Sequence, residues 1–314
     1  MNILLCGDWD DAERDSWAEA LRAALPARDQ LWLRRGAVDD ALIHAAIVAN
    51  PPPGSLAGLP GLRLIQSLWA GVDRLLLDDS LPRDVPVARM VDPAMNAAMA
   101  ETALWAVLSL HRGFFDYAQQ QADGLWRQQA QALADEVPVL VLGSGQMGRA
   151  AAGRLAQLGY PVSAWGRQPV AQQVPGVRHR HGEAGLKDAL AKACIVVNLL
   201  PLTAATRGIL GQPLFERLPE GASIVNLARG AHLLEADLLQ ALDSGRLHRA
   251  VLDVFYTEPL PAGHPFWAHP RITVLPHVAA QTDLRSAAAV ALANVEALAC
   301  GAPLANLVSR ELGY

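Results

Sequence analysis

The strongest constraint on this chain is a glycine-rich turn set between a strand and a helix. Val137-Pro138-Val139-Leu140-Val141-Leu142 is a short apolar run of the kind that forms a buried strand. It leads directly into Gly143-Ser144-Gly145-Gln146-Met147-Gly148, and then into the helix-forming stretch Arg149-Ala150-Ala151-Ala152-Gly153-Arg154-Leu155-Ala156. The pattern is GxGxxG. Gly143 permits the tight turn, Gly145 lets a pyrophosphate approach the backbone, and Gly148 lets helix and strand pack closely. The anion then meets free N–H groups at the positive end of the helix dipole, with Gln146 and Met147 in that first turn. Such turns also serve as plain connectors. The strand–turn–helix context is what supports a dinucleotide site.

The following strand, Val162-Ser163-Ala164-Trp165, ends in Gly166-Arg167-Gln168. A site selective for NAD usually carries an acidic residue here, which holds the ribose 2′-OH. None is available, because no Asp or Glu occurs between Gly148 and Glu183. Arg167 stands instead where a cation could pair with a 2′-phosphate, so NADP is expected over NAD. The plain alternative is a solvated loop arginine.

The rest of the chain fits around this unit. Its 314 residues correspond to about two domains. With 52% hydrophobic and 18% charged residues, a large core is available. The net charge of −5 argues against a nucleic-acid partner. Met1 to Asp10 has no basic region of a secretory signal, and charge or Gly/Pro interrupts each apolar stretch before membrane-spanning length. A cytoplasmic location is therefore expected. Cys6, Cys194 and Cys300 are too scattered for a disulfide framework or a metal motif, and no metal is expected.

Strand and helix signals alternate, which indicates an α/β chain with mostly parallel sheets. Further strands are expected at 2–7, 45–49, 63–68, 85–89, 194–199, 223–228, 249–254 and 272–275. Helices are expected at 11–25, 96–126 and 281–300. The first part reads as a small doubly wound domain.

Three downstream segments each place a polar residue just past an apolar run: Ile224-Val225-Asn226-Leu227-Ala228-Arg229-Gly230, Leu252-Asp253-Val254-Phe255-Tyr256-Thr257-Glu258-Pro259-Leu260, and Thr273-Val274-Leu275-Pro276-His277-Val278-Ala279-Ala280. In an open parallel sheet the ligand crevice lies beyond those carboxyl ends. Arg229, Glu258 and His277 could therefore converge. The residue types suit reduction of a 2-oxo acid. The planar guanidinium of Arg229 can grip the carboxylate and polarise the adjacent carbonyl. A protonated His277 can donate to the oxygen as charge develops there, and Glu258 can keep it protonated near neutrality. Taken singly, each residue has a plainer reading. Arg229 could be a surface arginine, Glu258 a turn residue, and His277, like His264 and His269, a structural histidine beside proline. Trp69 and Trp267 could simply be core.

In their order and spacing these segments resemble the signatures of the D-isomer-specific 2-hydroxyacid dehydrogenases. Leu68-Trp69-Ala70-Gly71-Val72-Asp73 and His264-Pro265-Phe266-Trp267 are closer to the glyoxylate/hydroxypyruvate reductase branch. The resemblance spans essentially the whole chain. It implies a Rossmann-type cofactor domain, 94–277, inserted into a flavodoxin-like substrate domain made of 1–93 and 278–314. It implies that Ala70 and Gly71 bind the substrate carboxylate through backbone N–H groups alongside Arg229, that Trp69 and Trp267 line a small pocket, that Asp253 orients the nicotinamide carboxamide, and that Leu227 borders the cofactor. It also implies a homodimer through 96–126, with its bulky apolar load. Two departures stand out. Gly166 replaces a hydroxyl residue that often helps the adjacent arginine, which weakens NADP preference, and Phe266 replaces a more usual leucine. The same fold family includes nucleotide-sensing corepressors, which the Arg/Glu/His set weighs against.

Overall fold

The computed structural model describes residues 1–314. They divide into two units, Met1–Ala94 with Thr282–Tyr314, and Met95–Gln281.

The first unit opens with β1 (Asn2–Gly7), α1 (Asp11–Ala24), β2 (Gln30–Trp32), β3 (Ile43–Ala49), β4 (Leu64–Ser67) and β5 (Val87–Ala88). Asp10 caps α1 by accepting the Glu13 N–H at 2.8 Å, and the helix buries Trp17, Ala18 and Leu21 along one face. The strands form one parallel sheet in the order β2-β1-β3-β4-β5. The winding direction reverses between β1 and β3, which is the flavodoxin-like order.

The second unit contains α2 (Pro93–His111), whose first two residues belong to the first unit, then α3 (Phe114–Ala122), β6 (Val139–Leu142), α4 (Gln146–Gln157), β7 (Val162–Gly166), β8 (Val177–His181), α5 (Gly182–Leu190), β9 (Ile195–Asn198), α6 (Gln212–Phe215), β10 (Ala222–Asn226), α7 (Glu235–Asp243), β11 (Leu247–Leu252) and β12 (Ile272–Val274). Its seven-stranded sheet is wholly parallel, in the order β12-β11-β10-β9-β6-β7-β8. The reversal falls between β6 and β9, where a doubly wound sheet opens its crevice. Both faces are covered, as parallel sheets require. Leu140, Leu142, Val196, Ile224 and Leu252 enter one core, while Val139, Val141, Val197, Val225 and Val251 enter the other.

The single helix expected over 96–126 is two helices. Gly113 adopts φ +66° between α2 and α3, a left-handed conformation that ends the first. The chain after α3 is irregular, and α2 and α3 hold it in place. The His111 imidazole meets the Ala132 carbonyl at 2.9 Å, Arg112 donates to Gln131, and the Gln129 N–H donates to the Tyr117 hydroxyl at 3.0 Å.

The chain then returns to the first unit as α8 (Leu284–Cys300), capped by Asp283 accepting the Ser286 N–H. Its buried Asn294 donates to Gln66 Oε1 at 2.7 Å. Residues 306–308 run antiparallel along β5, with the Val308 N–H on the Val87 carbonyl and the Arg89 N–H on that of Asn306. No helix is long and apolar enough to cross a membrane.

Candidate active site

The glycine turn sits at the carboxyl end of β6, on the reversal side of the seven-stranded sheet. Gly143 adopts φ +113°, and its N–H donates to the Trp165 carbonyl. A Cβ on Gly148 would lie 1.9 Å from the Gly143 carbonyl oxygen, so only glycine lets α4 close onto the turn. A Cβ on Gly145 would meet nothing within 4 Å. That open face lies above the first turn of α4, where Gln146 and Met147 stand and no side chain caps the helix. The Ser144 hydroxyl is buried without a hydrogen-bond partner and lies beside Gly166, where a Cβ would approach it to 3.2 Å. An uncapped helix terminus, an open glycine and an orphaned hydroxyl fit a dinucleotide pyrophosphate. Arg167 is exposed just past β7. Leu227 points into the core, 3% exposed, and its N–H is taken by the Asn198 carbonyl.

Arg229 follows β10. A Cβ on the next residue, Gly230, would fall 1.8 Å from the Phe255 carbonyl carbon. Glycine there lets the arginine loop lie directly against the 255–258 segment. Arg229 Nη1 donates to the Ala228 carbonyl at 2.8 Å.

His277 lies after β12 with φ +55°. Three bonds to one residue hold it there. The Asp253 carbonyl accepts the His277 N–H at 2.9 Å, and the two Asp253 carboxylate oxygens accept the N–H groups of Val278 and Ala279 at 2.7 and 3.0 Å. Asp253 is buried, and its visible work is to fix this loop. His277 Nδ1 meets Glu258 Oε2 at 2.7 Å, and Glu258 Oε1 accepts the Phe255 N–H at 2.9 Å. The pair therefore leaves Nε2 of the imidazole facing away from the carboxylate.

The bond from Glu258 raises the His277 pKa above its ordinary value against the opposing pull of burial, with Glu258 and Asp253 charges adding and Arg229 subtracting. Burial pushes the Glu258 carboxyl upward. The bonds from His277 and the Phe255 N–H outweigh it together with the His277 and Arg229 charges, and hold the group low. Both shifts favour an ionised pair, and Arg229 acts electrostatically on both members. Arg229, Glu258 and His277 are thus brought together.

Among the other expected residues, Trp267 is half exposed, and its indole N–H donates to the Pro261 carbonyl at 2.9 Å. Phe266 is buried against Phe255 and His264. His264 accepts the Phe266 N–H and pairs with Glu235, and His269 accepts the Arg271 N–H and pairs with Asp243. In the first unit, Trp69, Ala70 and Gly71 follow β4, each half-buried. The Trp69 ring packs edge-on against the buried Trp17 at 6.2 Å, and the Trp69 backbone N–H donates to the Ser67 hydroxyl.

Asn198, Asn226 and His232 carry no sequence signal of a role, yet all three are fully buried at the carboxyl end of β9 and β10, where Arg229 also lies. An asparagine closing an apolar run looks like an ordinary strand end, and only its burial marks it.

The family model for the D-isomer specific 2-hydroxyacid dehydrogenase NAD binding domain matches residues 104–279. The chain is 38% identical to the glyoxylate/hydroxypyruvate reductase A of Yersinia enterocolitica, with both chains covered completely. It superposes with a TM-score of 0.93 on a D-isomer specific 2-hydroxyacid dehydrogenase from Xanthobacter autotrophicus in complex with NADPH and MES, at 38% identity over 100% of this chain and 99% of that one. It superposes at 0.89 on an NADPH-dependent glyoxylate/hydroxypyruvate reductase from Sinorhizobium meliloti in complex with NADP and sulfate, at 33% identity over 100% and 99%.

Proposed function

We propose, from the premise that this chain belongs to the D-isomer specific 2-hydroxyacid dehydrogenase family and is an NAD(P)-dependent 2-hydroxyacid dehydrogenase, that it reduces glyoxylate, hydroxypyruvate or a similar short 2-oxo acid with NADPH. The observation that carries the reading is the 2.7 Å contact of His277 Nδ1 with Glu258, set beside the charge of Arg229.

Arg229 grips the substrate carboxylate and draws electron density toward the carbonyl oxygen. NADPH, when bound, supplies the hydride. His277 delivers the proton from Nε2 to the substrate oxygen, while Glu258 on Nδ1 stabilises the protonated ring before the transfer. Ser144, Gly145, Gln146 and Met147 hold the pyrophosphate, Leu227 borders the cofactor, and Asp253 meets the carboxamide with the acceptor capacity its loop bonds leave. Trp267, half exposed with its indole N–H on the Pro261 carbonyl, keeps the pocket small.

Arg167 carries the preference for NADPH. A charge-assisted hydrogen bond to the 2′-phosphate is worth about 1.5–3 kcal/mol, or on the order of ten- to a hundred-fold. Gly166 holds the effect toward the lower end, since it adds no hydroxyl.

The test is a panel of 2-oxo acids assayed with both cofactors in wild type, His277→Ala and Arg167→Ala. His277→Ala should lose roughly 10²–10⁴-fold in turnover with NADPH binding intact. Arg167→Ala should bring the two cofactors toward equal use. Wild-type turnover in His277→Ala sinks the proton-donor assignment. A wild-type enzyme that prefers NADH, or phenylpyruvate over both short acids, sinks the corresponding specificity.

A further inference from the structure

Arg229 must present its fork at one fixed angle, yet it sits on a loop rather than in a strand. The structure supplies what holds that loop. Asn226, the last residue of β10, clamps the turn with both ends of its side-chain amide. Its Oδ1 accepts the Ala228 N–H at 3.3 Å, and its Nδ2 donates to the carbonyl oxygen of Arg229 itself at 3.0 Å. The amide is in turn oriented by Asn198, the last residue of β9, whose Nδ2 donates to Asn226 Oδ1 at 2.9 Å. The second hydrogen of that Nδ2 goes to Nδ1 of His232 at 3.0 Å, and Asn198 Oδ1 accepts the Leu200 N–H. Because Asn198 is the donor, His232 Nδ1 must be the acceptor. The imidazole proton then sits on Nε2, which faces the Pro201 carbonyl at 3.3 Å. All three side chains are fully buried.

The result is a chain of hydrogen bonds that starts at Asn198, which donates both ways: to Asn226, which donates on to the Arg229 carbonyl, and to His232, which donates on to the Pro201 carbonyl. Reversing either amide would set donor against donor or acceptor against acceptor. A buried network of this kind favours one local geometry, because flipping an amide leaves polar groups unpaired in a low-dielectric interior. The far end of the chain also borders the cofactor turn. A Cβ on Gly143 would lie 2.6 Å from the Leu199 carbonyl oxygen, two residues before Pro201. The histidine also reaches the arginine through the main chain, its backbone N–H donating to the Arg229 carbonyl at 3.2 Å, and its ring bonds to Asn198 and to the Pro201 carbonyl suit it to holding the loop.

We infer that His232 and Asn198 are positioning residues that set the angle of the substrate-gripping arginine, an inference that rests on the reading of Arg229 as that group. His232→Leu deletes the acceptor and leaves one Asn198 N–H unsatisfied. His232→Asn restores an acceptor at the Nδ1 position.

The experiment is a double-mutant cycle of His232→Leu with Arg229→Ala. It is read as KM and kcat for glyoxylate, with NADPH affinity followed separately by nicotinamide fluorescence. His232→Leu should raise KM for glyoxylate about ten-fold and lower kcat, with NADPH affinity and the pH profile unchanged. His232→Asn should recover most of the loss, and in the Arg229→Ala background His232→Leu should cost nothing further. If His232→Leu does not fold, His232→Gln carries the cycle, since it displaces the acceptor while keeping a polar group. An additive effect in the Arg229→Ala background, or a folded His232→Leu with unchanged KM, overturns the positioning role alone. Arg229→Ala with unchanged KM overturns the reading beneath it.

Discussion

His277 adopts a left-handed backbone conformation that Cβ-bearing residues resist, and it is kept there by three bonds to the single residue Asp253. The same arrangement points Nδ1 at Glu258 and leaves Nε2 facing away from the carboxylate. The charge balance then has a definite pH consequence. With His277 as the proposed proton donor, reduction needs it protonated, and Glu258 raises its pKa, so the wild-type rate should fall only as pH rises through that raised value. In Glu258→Gln the carboxylate charge is gone and the protonated ring loses its stabilisation. The alkaline limb of the kcat/KM profile should move to lower pH, while the rate well below it changes less. A limb that stays in place or moves upward contradicts Glu258 as the group that keeps His277 charged. The pairing of Glu258 with His277 was legible in sequence because each residue follows an apolar run and their types suit one another. Asn198, Asn226 and His232 were not, since nothing in a sequence separates a buried asparagine at a strand end from a solvated one.

The glycine turn joins β6 to α4 through two glycines whose surroundings differ, so fold and binding can be separated. A Cβ at position 148 collides with backbone at 1.9 Å, whereas one at 145 points into open space. Gly148→Ala should therefore lower stability by about 3 kcal/mol or more, by overpacking against an immovable carbonyl. Gly145→Ala should melt like wild type yet bind NADPH poorly, because its new methyl occupies the approach of the pyrophosphate. Thermal unfolding and nicotinamide fluorescence on the two variants check this, and Gly145→Ala with wild-type affinity removes the turn from the cofactor site. At this scale the central strands were readable because they are buried on both faces and appear as unbroken apolar runs. The sheet-edge strand β8 was missed. Its sequence, Val177-Arg178-His179-Arg180-His181, is polar, mostly exposed and held by pairing to β7 alone. The break between α2 and α3 was also missed, because a lone glycine inside a helical pattern is often tolerated and only its backbone angle shows that it ends the helix.

At the scale of the whole molecule, the exposed apolar groups stand out. Trp126 is 98% exposed, Phe114 54% and Trp105 41%, on α2, α3 and the segment that follows them. That segment is tied down by His111 and Tyr117 at its backbone and by Arg112 at the Gln131 side chain, while its tryptophan stands in solvent. This is the pattern of a surface built to be covered, and we propose a second copy of the chain as its cover. Sedimentation at micromolar concentration should give a dimer, and Trp126→Ser with Phe114→Ser should shift it toward monomer. A monomeric wild type ends the proposal. The discontinuous first unit carries a further consequence, one of timing during synthesis. Residues 1–94 contain all five strands of their sheet, but the helix that bonds Gln66 and the segment that lines β5 lie beyond residue 281. At ribosomal speeds, residues 95–281 take about 10–40 s to make. Throughout that interval the earlier-made unit waits unfinished, and at its end the later-made unit has every residue it needs while the earlier one still lacks its last segment. Chains stalled shortly after residue 281 has left the ribosome should resist protease over 95–281 and be cut within 1–94. Equal resistance of both would mean that the early sheet closes without its late helix.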